Sequence, residues 1–238
     1  MIQLTTACVS SVDESRGNSS NLLFSGQILP ERNGGLNGAP SLKLEPGAPC
    51  VTGVFDGSGI APNKAAYIAA AAFRSAAERL RSVEDLDTLY AQIHNDLCAA
   101  SAAGDDLHLS ASAVSACVDG DRLALACLGA CRAYLLRDKS LYLLTRESAD
   151  AAPQAAPPAT DAGPKLGLDA IPPFTVKGTL LPGDQLLLCT GWLPAALDAR
   201  ELLRTMLESE APGAALQQLA RRAGDRRGDI AAVLLKAE

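Results

Sequence analysis

Apolar and polar positions alternate over Ile2 to Val9, a polar stretch follows around Asp13 to Asn21, and a short apolar run covers Leu22 to Phe24. This pattern predicts strand, turn, strand. Residues 31–49 are rich in Gly, Pro and Asn and read as an irregular connection. Strand character resumes over Cys50 to Phe55 and is expected to stop at Asp56-Gly57-Ser58-Gly59, leaving a loop at a strand end, a common place for chemistry. Two helices are expected next. The first runs from about Ala61 to Arg81, with Pro62 suited to the first turn and many alanines that permit close packing. The second, from about Val83 to Ala102, carries Leu86, Leu89, Ile93 and Leu97 at helical spacing, with Ser82 and Asp85 resembling a capping box.

Between Leu107 and Thr145 four short apolar runs, at 109–118, 122–128, 132–137 and 140–144, predict an antiparallel meander, the first pair joined by the hairpin signal Asp119-Gly120. Residues 149–165 are rich in Ala and Pro, lack helical periodicity and are expected to form a mobile surface loop. Strands near 173–180 and 184–190 precede two amphipathic helices, one capped by Asp198 and Glu201 and one opened by Pro212. A strand from Asp229 to Lys236 ends the chain. Strands, a helix pair, strands, a helix pair and a strand, in that order, imply an α+β fold: a four-layer αββα sandwich of two antiparallel sheets flanked by helix pairs. A single domain over 1–238 is expected, since layered sandwiches reach this length as one unit.

Composition narrows the function classes. Hydrophobic residues make up 48% of the chain, enough for a large core, and charged residues 20%. The net charge of −6, without a cluster of Lys and Arg, argues against nucleic acid as a partner. The longest apolar run, Ala65 to Phe73, is far short of a bilayer span, and no leader pattern is seen, so a soluble, cytoplasmic protein away from membranes is expected. Seven cysteines without a CxxC pair read as free thiols in a reducing compartment, most of them in apolar strand-like runs. His94 and His108 have no ligand partners nearby in sequence, which rejects a zinc site.

Several segments, in order, resemble the signature blocks of the metal-dependent type 2C (PPM) serine/threonine protein phosphatases. Residues 129–138 (GACRAYLLRD) resemble GDSRAYLLRDG and run on into Leu143-Leu144-Thr145-Arg146-Glu147; residues 181–190 (LPGDQLLLCT) resemble LxPGDxLLLCSDGL. Val54-Phe55-Asp56-Gly57-Ser58-Gly59 resembles VxDGxGG, Arg16 to Asn21 resembles RxxNED, and Arg227-Gly228-Asp229-Ile230 resembles the terminal DNI block. The resemblance spans nearly the whole chain. It implies a β-sandwich flanked by helix pairs, in agreement with the architecture read from periodicity, and hydrolysis of phosphoserine or phosphothreonine by water bridging two Mg²⁺ or Mn²⁺ ions.

Two such ions repel each other, so the site needs several carboxylates. Carried across by the resemblance, the Glu-Asp of RxxNED falls on Ser20 and Asn21, and the Asp of VxDG is kept as Asp56, beside Gly57, whose carbonyl position is also kept. The Asp of GDSR, tied to an additional metal in some members, falls on Ala130; that of CSDGL falls on Gly191 and that of DNI on Gly228. Asp56 alone remains, which implies an impaired or inactive phosphatase that needs no cofactor and binds a protein partner or phosphorylated segment. The alternative is an active Mg²⁺- or Mn²⁺-dependent enzyme drawing ligands from Asp13, Glu14 or Asp229, although a one-residue slip at Asp229 is expected to turn its side chain to the opposite face. Arg16 falls where the family binds phosphate; its residue context alone reads as a solvated arginine in a polar turn. Asp56 reads equally as a turn-forming Asp-Gly. Cys131, beside Arg132, lacks the Cys-to-Arg spacing of cysteine phosphatases and reads as a buried strand residue. Trp192, the sole tryptophan, replaces a small residue beside the expected cleft; it could plug that cleft, face a partner or simply pack.

Overall fold

The computed structural model describes residues 2–12, 18–77, 86–103, 108–145, 164–224 and 228–238. Arg16, Asp13, Glu14, the Ser82 and Asp85 capping box, and the 149–163 part of the expected loop lie outside these residues. Among the described residues, twelve strands form two antiparallel six-stranded sheets. One sheet contains β1 (Leu4–Ser11), β4 (Ser41–Lys43), β8 (Arg132–Arg137), β9 (Ser140–Leu143), β11 (Gln185–Cys189) and β12 (Ile230–Ala237), in the order β4-β1-β12-β11-β8-β9. The other contains β2 (Ser20–Phe24), β3 (Gln27–Ile28), β5 (Cys50–Ser58), β6 (Ser110–Asp119), β7 (Arg122–Leu128) and β10 (Phe174–Thr179), in the order β10-β7-β6-β5-β2-β3. Helices α1 (Pro62–Ala77) and α2 (Leu86–Ala103) cover the second sheet; α3 (Trp192–Ala196), α4 (Ala199–Glu208) and α5 (Pro212–Gly224) cover the first. The four-layer sandwich expected from the sequence is the fold.

Alternation along the strands assigns each side chain to one of three apolar layers. On β5, Phe55 joins Ala69, Phe73, Tyr90 and Ile93 under the helices, whereas Val54 points between the sheets with Val114, Leu125, Leu188 and Val233. On β12, Ala232 and Leu234 face α4 and α5, with Leu202, Met206 and Leu216. Both faces of these strands are buried, so they read as nearly continuous apolar runs. Alanines and glycines set the spacing: α1 buries Ala65, Ala66, Ala69, Ala70, Ala72 and Ala76, and a Cβ on Gly57 would fall 1.9 Å from the Pro62 carbonyl oxygen. Asp198 caps α4 through the amides of Arg200 and Glu201, and Glu201 returns a bond to the Asp198 amide, the reciprocal capping box expected from the sequence.

The structure corrects four expectations. Strand β5 does not stop at Asp56 but continues to Ser58, because Ser20 on one side and Ser112 on the other pair with Asp56. The expected meander is two hairpins in different sheets, β6–β7 and β8–β9. Gly129, at φ +87°, makes the crossing; a Cβ there would lie 2.3 Å from Ser112 Oγ, which instead accepts a bond of 3.1 Å from the Ala130 amide. The short strand β4 interrupts the 31–49 segment expected to be irregular. Finally, Lys165, the last residue of the expected surface loop, is buried at 7% exposure, because Leu166 bridges to Ala111 and sinks into the helix-side core.

Candidate functional site

At one end of the space between the sheets the apolar lining gives way to polar side chains. Asp56, two residues beyond Val54, shares its inward face, and the row Ser20, Asp56, Ser112 crosses β2, β5 and β6 in register. Asp56 is 6% exposed. It lies near Cys131, the residue just before β8 of the opposite sheet, whose thiol is pushed well above the ordinary range by burial first and by the Asp56 charge second. One step along, Ser58 and Ser110 are paired, with hydroxyl oxygens 2.8 Å apart.

Ser19 ties this row to the other sheet. Its carbonyl accepts from the Gly57 amide at 2.8 Å, while its own amide and hydroxyl donate to Asp229 Oδ2 at 2.5 and 2.8 Å. Asp229 is 4% exposed and precedes Ala231 and Val233 on the inward face of β12. The expectation that Asp229 turns away from the site is therefore overturned: its side chain faces the Asp56 side, and Gly228 faces α3. Thr190 closes this corner, its hydroxyl donating to the Asp229 carbonyl at 3.2 Å.

The positions where the resemblance expects acidic residues separate into three situations. Ser20 is buried and bonded to Asn18 Oδ1 through its amide, at 2.8 Å, and its hydroxyl, at 3.2 Å. Asn21 alternates onto the side of Leu23, towards α1, and its side chain holds the Leu29 amide and carbonyl, each at 3.0 Å, so it fixes the β2–β3 hairpin and does not face Asp56. The remaining positions are closed by packing. A Cβ on Gly191 would meet the Ala130 carbonyl oxygen at 2.9 Å and its Cβ at 3.2 Å, so two of these positions press on each other. A Cβ on Gly228 would fall 2.4 Å from Cδ2 and 2.5 Å from Cε3 of Trp192. The indole lies over Gly228, packed against the core under α3 to α5.

Among the described residues where the resemblance places or allows a ligand, Asp56 and Asp229 bring carboxylates to this end of the sandwich. Among the described residues no group of three or more His, Cys, Asp or Glu side chains is arranged to hold a metal ion. Among the described residues, the side chains gathered here do not fit a centre of two dications, which needs several anionic oxygens to offset the repulsion between the metals. Nor is a thiolate nucleophile supplied: burial pushes the Cys127 and Cys189 thiols up to about 12, and the first of these donates to the Cys131 carbonyl at 3.2 Å.

Sequence reasoning missed Lys165, Ser58, Ser110 and Ser19. Lys165 Nζ donates to Ser58 Oγ at 3.0 Å, which carries a buried cation to the strand of Asp56. The available signal was the Lys165-Leu166 step itself, a charge beside an apolar residue at the end of a polar, Ala- and Pro-rich stretch.

No protein-family profile and no curated sequence matches the chain. Solved structures do. The catalytic domain of the serine/threonine protein phosphatase PstP, solved with two manganese ions, is 18% identical and aligns over 100% of this chain and 99% of its own, at a TM-score of 0.80. Serine/threonine phosphatase Stp1 from Staphylococcus aureus is 16% identical over 98% of this chain and 94% of its own, at 0.79. PppA, described as a key regulatory component of T6SS in Pseudomonas aeruginosa, is 21% identical over 99% and 98%, at 0.76. At these identities the likeness is one of fold, and the fold is that of the type 2C phosphatases. Among the described residues no helix is long and apolar enough to cross a membrane.

Proposed function

We propose that this chain is a type 2C phosphatase-fold protein that does not run two-metal hydrolysis and acts by binding a protein partner or a phosphorylated segment. The observation that carries this reading is the Trp192 indole lying over Gly228, where a metal-binding carboxylate is expected from the resemblance. Contact between Gly191 and Ala130 supports it at two more such positions. In-line attack by the two-metal route needs a water activated and held by metal ions, and on this reading no residue here generates that nucleophile. On this reading no metal is required. The net charge of −6 favours a protein over nucleic acid as partner, and the free thiols suit the reducing cytoplasm.

Hydrolysis of p-nitrophenyl phosphate by the wild-type chain and by Asp56→Ala, each with and without Mn²⁺, tests the reading. Equal, near-zero rates are expected in all four assays. Mn²⁺-dependent turnover that Asp56→Ala abolishes would overturn it in favour of a second reading, an active Mg²⁺- or Mn²⁺-dependent phosphatase. That alternative draws on one observation, the Asp229 carboxylate facing the Asp56 side. It requires millimolar Mn²⁺ to bind with measurable heat in calorimetry.

A further inference from the structure

The geometry points to Lys165 as a built-in cation of this site, its ammonium paired with Asp56 in the place where the fold's metal-dependent members would need a divalent ion. Placement of the backbone comes first. Leu166 and Ala111 exchange both backbone hydrogen bonds, each 3.0 Å, so Lys165 stands across from Ser112. Leu166 and Ala111 face the helices, and alternation turns Lys165 and Ser112 to the face between the sheets. Ser112 is in turn the cross-strand partner of Asp56. Lys165, Ser112 and Asp56 are thus neighbours in one row on one face, with strands about 4.8 Å apart.

The side chain then spans that row. Nζ reaches Ser58 Oγ, on the strand of Asp56 and beyond the strand of Ser112, and Ser58 shares the Asp56 face. A lysine buried at 7% exposure needs an anion, because an ammonium without one in a low-dielectric interior costs several kilocalories. The neighbouring Asp169 is exposed, and its carboxylate is engaged at the other end of the residue, on the Lys165 backbone amide at 2.9 Å. Asp56 is buried, on the right face and on the strand that the ammonium touches. The pairing also accounts for the buried carboxylate: Ser58, itself paired with Ser110, takes up one ammonium donor, and Asp56 takes the charge.

This inference deepens the proposed reading of the same site but rests on it only in the claim that the ammonium displaces a metal; the ion pair stands on its own geometry. A double-mutant cycle over Lys165→Met and Asp56→Asn in the full chain tests the pair. Each single change is expected to lower Tm by roughly 6–20 °C, as for breaking a buried pair, and the double variant to lose much less than the sum. Losses that simply add would overturn the pairing. Where a variant does not fold, the wild type supplies the test by ¹⁵N detection of lysine ammonium groups. A protected Lys165 signal retained in Asp169→Asn is expected; its absence from the wild type, or its loss in Asp169→Asn, would overturn the assignment. Paramagnetic line broadening by Mn²⁺ then addresses displacement. Broadening confined to Lys165→Met supports it, and broadening at Asp56 in the wild type refutes displacement without touching the cycle.

Discussion

Restoring the carboxylate at position 228 should damage the fold before it helps any chemistry. In Gly228→Asp the new Cβ would stand 2.4 and 2.5 Å from two ring atoms of Trp192 and 2.9 Å from a third. The indole is rigid and anchored in the core under α3 to α5, so it cannot yield by a rotamer change of a flexible tip; it must swing outward. Overpacking of this kind costs about 1–3 kcal/mol, which for a chain of this size lowers Tm by roughly 2–12 °C. Trp192 is the only tryptophan, so its fluorescence reports the displacement directly, with a red shift as the ring meets water. Trp192→Ala removes the obstacle at its own cost in packing, and the double variant should be more stable than the sum of the two changes by about 1–3 kcal/mol. Thermal unfolding with emission spectra is the assay. Unchanged Tm and emission in Gly228→Asp would refute the claim that the ring closes the ligand position.

Two further outcomes follow from burial and charge. The Cys8, Cys127 and Cys189 thiols, pushed up to about 12 by burial, stay protonated in the fold while an unfolded thiol ionises near 8.5, so their contribution is intact below that pH and is lost as pH rises towards 12. Urea midpoints should fall steadily between pH 9 and 11, with thiol modification at pH 8 reaching the half-buried Cys98 well before these three; a flat stability profile would contradict this. Asp184 is only 2% exposed; burial raises its carboxyl, but the Arg137 guanidinium at 2.9 and 2.5 Å and the Leu181 amide outweigh burial and hold it below the ordinary range. Asp184→Asn should cost about 2 kcal/mol at pH 7, a deficit that shrinks as pH falls through the folded-state pKa of the wild-type carboxyl; equal deficits at pH 7 and pH 3 would contradict the ion pair.

The architecture was legible because local signals agreed with one another. Asp198 and Glu201 announced the start of α4, Asp119-Gly120 the β6–β7 turn, and the ordered motif blocks named a fold that the layered pattern had already implied. What failed to show is non-local. Asp56-Gly57 carries a turn signature, yet cross-strand partners from β2 and β6 and the close approach of α1 keep it in the strand. The inward direction of Asp229 could not be counted from the run that follows, since Ile230 to Leu235 is buried on both faces and alternation leaves no mark in such a strand. Lys165 was hidden by the composition of its neighbours; its burial is decided by a bridge to a strand more than fifty residues away.

The site residues also differ in what their packing permits. Gly228 is matched to the Trp192 side chain, so a carboxylate there requires a second change, whereas Gly191 meets the Ala130 backbone carbonyl oxygen first, so a side chain there requires the backbone to shift. Ser20 and Asn21 are different: the Ser20 hydroxyl donates to Asn18 and the Asn21 side-chain amide to the Leu29 carbonyl, so an acidic side chain at either place would forfeit that donated bond as well as adding charge. Asp56 lies among them as a buried carboxylate, and a buried carboxylate is costly unless something cationic or strongly donating meets it. With Lys165 reaching its strand from across β6, retention of Asp56 has a structural cause independent of any metal. Removing its charge should therefore register first in stability, and an assay of phosphate hydrolysis alone would miss what that residue does.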